Sequence, residues 1–118
     1  ENLKNIITLL RKDDKHKKLE ILINNPCLEF WYLLHFRNTG KEYSGCEPVI
    51  KEIKKCGPLS NYQKTEKYYK GSRDIYQKLK PYQKNAVENA WQLDKLNQGD
   101  ICKSNAQIYK LLKILNLI

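Results

Sequence analysis

The run from Ile23 to Phe36, Ile-Asn-Asn-Pro-Cys-Leu-Glu-Phe-Trp-Tyr-Leu-Leu-His-Phe, constrains this chain more than any other segment. Apolar residues lie almost all the way round the helix it predicts, and a helix with no polar face belongs in the middle of a fold. Phe30, Trp31, Leu33, Leu34 and Phe36 would each gain about 1.5–3 kcal/mol from full burial. Asn25 suits an N-cap and Pro26 suits the first helical position, so the helix is expected to start there. Side chains lean toward a helix N-terminus, which aims Glu29 back at the carboxyl end of a preceding strand. In open α/β folds that edge is where ligands bind.

Glu29 is therefore the residue to explain. A carboxylate among aromatics is costly unless a cation or a donor compensates it, and a bound divalent metal is one such compensator. The plain alternative is a first-turn carboxylate satisfied by backbone N–H groups or an arginine, worth about 0.3–1 kcal/mol through the helix dipole. Asn25 carries two readings as well, a helix cap or a contact to a phosphate at the helix N-terminus. His35 could act as a base, but it lies about 9 Å along the helix from Glu29. A packed histidine with a backbone partner is the simpler reading. Trp31 and Trp91 read as core.

Leu3, Ile6, Ile7 and Leu10 recur at helical spacing, which predicts an amphipathic helix over residues 2 to 13 and a charged turn after it. Leu19 to Ile23 reads as a short buried parallel strand reached by that crossover helix. Tyr43 falls in an exposed-looking loop. Val49, Ile50 and Ile53 predict a helix over Glu47 to Lys55, closed by Cys56-Gly57-Pro58. Beyond Asn61 the pattern is mostly helical. Pro81 opens a helix running to about Asn97 with Ala86, Ala90 and Leu93 inward, and Ser104 caps a last helix carrying Ile108, Leu111, Leu112 and Leu115 on one stripe.

A second constellation spans Tyr62 to Lys84. Five of the eight tyrosines and seven basic residues fall in it, against Glu66 and Asp74 alone. Basic groups with interleaved aromatics suit phosphate contact plus base stacking, and one stacked base contributes about 1–3 kcal/mol. Tyr62, Lys64, Lys67, Lys70 and Arg73 are the candidate nucleic-acid contacts, with Lys64 foremost. Tyrosines near a heptad face can instead half-bury with a wet hydroxyl.

Composition agrees without deciding. The 118 residues make one domain or part of one, with a formal charge of +9 spread along the chain. A sustained positive field attracts polyphosphates, although a Lys- and Asn-rich composition also follows from an AT-rich genome. Cysteines at 27, 46, 56 and 102 show no C-x-x-C spacing, and neither histidine completes a zinc pattern, so no zinc is expected. No apolar run is long enough to span a bilayer and no signal-peptide core opens the chain. A reduced, cytoplasmic protein without a membrane partner is the expectation.

Residues 24 to 36, Asn-Asn-Pro-Cys-Leu-Glu-Phe-Trp-Tyr-Leu-Leu-His-Phe, resemble the Ser-Asn-Pro-Cys-Phe-Glu-x-Trp-x-Leu-Leu-His-Phe signature of RloB-like proteins. The likeness continues in Tyr62-Gln63-Lys64, around Ala86 and Ala90, and from Ser104 to Leu111. It implies a bacterial, Toprim-related protein associated with abortive infection and phage defence: a nuclease-like protein acting on DNA or RNA, beside neighbouring defence-operon proteins. It further implies a Mg²⁺ site at which Glu29 supplies one ligand or a carboxylate that supports the ligands. The family's Thr-Glu-Gly-Glu-type motif and its Asp-x-Asp are absent, and Asp13-Asp14, among lysines, does not replace them. Together with the lack of any methionine, this leads to the expectation of a C-terminal portion whose remaining metal ligands lie upstream and which is inactive alone. The expected architecture is α/β and strongly α-rich, with one or two short strands and about five helices. Residues 1–40 would form a helix-strand-helix remnant of a Toprim-like core, and residues 41–118 a helical extension.

Overall fold

The computed structural model describes residues 2–12, 20–65, 68, 75–98 and 100–117. Asp13-Asp14, His16, Leu19, Lys67, Lys70 and Arg73 lie outside the described residues. The architecture is mixed α/β and helix-rich, as the hydrophobic spacing predicts. Helix α1 spans Asn2–Lys12, β1 Asn24–Asn25, α2 Glu29–Leu34 and α3 Cys46–Ile53. A 3₁₀ turn at Gly57–Leu59 follows, then α4 at Ile75–Leu79, a second 3₁₀ turn at Lys80–Tyr82, α5 at Gln83–Leu96, β2 at Asn105–Ala106 and α6 at Tyr109–Ile114. Among the described residues no helix is long and apolar enough to cross a membrane.

Helix α2 is the centre of the fold. All six of its residues are buried, Glu29 included. It packs on α3 and α5 and lies against both strands. Around it gather Val49 and Ile53 of α3, Leu59, Tyr62, Ala86, Ala90 and Leu93 of α5, and Tyr109. The inward residues of α5 are those its spacing assigns. Gly40 permits a close approach here, because a Cβ on it would meet Leu93 Cδ1 at 3.0 Å. On the described part of the predicted α1 stripe, Ile7 is buried and Leu10 half-buried, while Ile6 faces solvent.

The sheet differs from the expected parallel strand. Residues 20–23 have no regular structure, and the ladder that forms is antiparallel, Asn24 opposite Ala106 and Asn25 opposite Asn105. Gln107 extends it by donating its backbone N–H to Ile23 O at 2.8 Å and accepting the Ile23 N–H on Oε1 at 3.1 Å. The partner strand comes from the far end of the chain, so the crossover rule for parallel strands does not apply.

Three local expectations are corrected by the same region. Asn25 is in β1 rather than at a helix cap, and its Nδ2 donates to Ile101 O and Lys103 O at 3.2 and 3.3 Å. Helix α2 begins three residues beyond Pro26, with no side-chain cap. Ser104 caps nothing either: its hydroxyl donates to Lys41 O at 2.8 Å and lies 3.1 Å from Glu42 Oε2, while its N–H donates to the same carboxylate. The C-terminal end of α2 is satisfied by α5, where Asn89 Nδ2 donates to Leu34 O at 2.9 Å and Arg37 O at 3.3 Å. Tyr43, expected in solvent, is half-buried with its ring edge-on to Phe30.

Candidate functional site

Two candidate residues with no sequence proximity meet in space. Glu29 opens α2 and is 2 % exposed, while Lys64 lies beyond the Gly57–Leu59 turn with its side chain 62 % exposed. Lys64 Nζ stands 3.1 Å from Glu29 Oε2. The contact is ionic without hydrogen-bond alignment, and among the described residues Glu29 Oε2 has no hydrogen-bond partner. A buried carboxylate is thus compensated by a cation mostly in water, which is a weak form of compensation. The arginine nearest in sequence is engaged elsewhere: Arg37 Nη1 donates to Glu52, which Lys55 also reaches at 3.2 Å. Those lysine and arginine partners hold the Glu52 carboxyl below its usual range.

Turn geometry explains how Lys64 arrives there. Leu59 is fully buried, Tyr62 N–H donates back to Leu59 O at 3.0 Å, and the Tyr62 ring then enters the core. Two residues on, the chain has surfaced. Tyr62 is therefore not a stacking platform for a base, since it is completely buried, edge-on to Tyr32 and Tyr68 at 5.9 and 5.1 Å. Lys78 Nζ donates to Tyr68 OH at 3.0 Å and lies over the same ring.

His35 is 3 % exposed, and its Nδ1–H donates to Trp31 O at 2.9 Å. Burial lowers its pKa to about 4, with the Trp31 and Tyr32 carbonyls opposing the shift. A neutral ring whose Nδ1 is engaged by its own helix matches the packed reading rather than a base for Glu29 chemistry. Asn25 commits its amide N–H groups to the carbonyls of Ile101 and Lys103.

Two sulfurs also stand beside Glu29. Cys27 and Cys46 form a disulfide, against the expectation of reduced cysteines. Their Sγ atoms and one Glu29 carboxylate oxygen all lie within 4.8 Å of one another. Sequence reasoning missed this pair because 19 residues separate the two cysteines. The one available signal was Cys27 two positions before Glu29. Mg²⁺ demands six oxygen ligands in near-octahedral array. Among the described residues this cluster offers one carboxylate and two sulfurs, so Glu29 is the one oxygen ligand it could give Mg²⁺.

Lysines pair with aromatics over the outer face of α4 and α5. Lys80 Nζ is 5.9 Å from the Tyr76 ring centre and Lys95 Nζ 4.3 Å from that of Trp91. Trp91 is 42 % exposed, contrary to its reading as core, because α5 turns Ala90 and Leu93 inward instead. Tyr76, Lys80, Gln83, Lys84, Val87 and Leu117 line an open cleft on this face.

A family model described as RloB-like protein matches residues 2–115 of the chain. Neither the curated proteins nor the solved structures yield a match.

Proposed function

The chain belongs to the RloB-like family, and from that membership we propose that it is the nucleic-acid-contacting part of a nuclease-like, Toprim-related protein of bacterial phage defence. In the cytoplasm its ligand would be DNA or RNA, and a neighbouring defence-operon protein a further partner. One observation carries the reading: half-exposed Tyr76 on α4 and Trp91 on α5 each lie beneath a lysine, in a chain with a formal charge of +9. Lysines meet phosphates, and exposed rings accept stacked bases of any sequence. Lys64, mostly in solvent, adds a further cation, and the flanking Lys67, Lys70 and Arg73 would extend it.

Within this reading Glu29 is the acid contributed to strand cleavage. Any Mg²⁺ would take its other oxygen ligands from outside these residues, as the family resemblance implies. A second reading, a non-catalytic binding module, is favoured by the Lys64 contact, which already gives Glu29 a counter-charge. The two separate on one experiment with the full protein its gene encodes: nucleic-acid cleavage in Mg²⁺ or Mn²⁺, wild type against Glu29→Gln. Loss of cleavage with binding retained supports the enzyme. Binding without cleavage in the wild type supports the module, and no salt-dependent binding of single-stranded RNA or DNA overturns the nucleic-acid reading and points to a protein partner for the module.

A further inference from the structure

The donor set around Glu29 suits a different class of ion. We propose that, once the Cys27–Cys46 disulfide is reduced, Cys27, Glu29 and Cys46 form a binding site for a borderline-soft divalent cation of the Zn²⁺ class. The proposal concerns these three side chains and is independent of nucleic-acid contact.

Geometry is the first support. Tetrahedral Zn²⁺ bonds to sulfur at about 2.3 Å and to carboxylate oxygen at about 2.0–2.2 Å, which sets ligand atoms about 3.5–4 Å apart. A Glu29 carboxylate oxygen already lies within 4.8 Å of both sulfurs, which are bonded to each other in the disulfide and gain ligand spacing once that bond is broken. Cys27 and Glu29 flank the start of α2 and Cys46 is the first residue of α3, so two packed helices hold the cluster.

The second support is the buried acid, whose Lys64 counter-charge is mostly in water. Glu29 is 2 % exposed and its Oε2 lacks a hydrogen-bond partner. A carboxylate held so far from water lowers its energy most by meeting a cation directly. Lys64 Nζ marks, at 3.1 Å, where positive charge is drawn now, and its exposed side chain can make room for an ion while staying beside the site. Two thiolates and one carboxylate bring three negative charges, which a divalent ion and the Lys64 ammonium together neutralise. Three protein ligands leave a fourth position for water, the donor count of reactive rather than closed zinc sites.

The chemistry balances with a dithiol reductant. Its two electrons and two protons pass to the protein disulfide, the S–S bond breaks to give two thiols, and the reductant leaves as its own disulfide. Metal binding then expels the two thiol protons to solvent. A small-molecule disulfide oxidant reverses the sequence: it takes up two electrons from the thiolates and two protons from solvent to leave as two thiols, the Cys27–Cys46 bond re-forms, and the ion is released.

The test uses the 118-residue chain carrying Cys102→Ser, which removes the exposed free thiol. It is titrated with Zn²⁺ and with Co²⁺, before and after dithiol reduction and removal of the reductant under anaerobic conditions. The expected result is one ion per reduced chain, a near-ultraviolet thiolate-to-cobalt absorption, release of protons, and no such binding by oxidised protein. Glu29→Gln should weaken binding by at least roughly tenfold, Cys46→Ser should abolish the cobalt absorption, and Cys56→Ala should leave both unchanged. Because a cysteine variant can lose its fold, the absorption of the wild-type cysteine pair and the Glu29→Gln affinity are read independently of it. No binding by the reduced chain, or binding indifferent to Glu29 and to oxidation, overturns the proposal. Failure of nucleic-acid binding or cleavage leaves these readouts untouched.

Discussion

Replacing His35 by glutamine should flatten the acid side of the protein's stability profile. His35 is buried neutral, with burial lowering its pKa from 6.5 to about 4. Between those values the unfolded chain binds a proton that the folded chain refuses, so stability rises with pH across that window. The contribution is fully present above 6.5 and drains away as pH falls toward 4. A span from 6.5 to about 4 corresponds to about 3 kcal/mol, of which about 2.5 kcal/mol is lost by about pH 4.5. Glutamine cannot titrate. It also forfeits part of the hydrogen bond to Trp31 O, about 1 kcal/mol at neutral pH. Urea unfolding of wild type and His35→Gln at about pH 7.5 and about pH 4.5 isolates the term, because Glu52, Asp100 and every other acid titrate alike in both. The stability gap between the two should close, or reverse, as pH falls. Parallel profiles would mean that His35 accepts its proton in the folded state, and the packed reading of it would be wrong.

Other expectations follow from the same contacts. Lys64→Ala should destabilise by about 1 kcal/mol, a small figure because the ammonium is mostly solvated, and the loss should vanish in a Glu29→Gln background when urea midpoints form a double-mutant cycle. Trp91→Ala and Tyr76→Ala should each weaken single-stranded nucleic-acid binding by about 1–3 kcal/mol with melting unchanged. Lys80→Ala should reduce the slope of log affinity against log salt by about one contact, measured by fluorescence titration; an unchanged slope removes Lys80 from the interface. Asn89→Ala should cost about 1–3 kcal/mol in thermal unfolding, since it leaves the Leu34 carbonyl at the end of α2 without its donor.

The central helix was legible because burial on every side leaves one place for it, and the inward residues of α5 were legible because alanines and a leucine at helical spacing admit close packing. Long-range partners were not. Two-residue strands rich in asparagine carry no alternation to read, so Asn25 looked like a cap until the 101–103 turn supplied its true partners. The Tyr62–Lys64 pair illustrates a different limit: adjacent residues read as one surface motif divide, the ring into the core and the ammonium back over Glu29. Cysteines without a metal spacing gave no warning of the Cys27–Cys46 bond, because topology, not sequence separation, brings α3 to the start of α2. Trp91 misled in the opposite direction, as a large ring whose helix face happens to point outward.

The account rests on Glu29 being kept for chemistry and not for the fold. Equilibrium urea unfolding of Glu29→Gln tests this most directly, since the amide keeps the shape and removes a buried charge that lacks a hydrogen bond on Oε2. The prediction is stability equal to or above that of wild type. A loss of about 2 kcal/mol or more would show that the acid is part of the architecture through Lys64, and the functional reading of the site would fall with it.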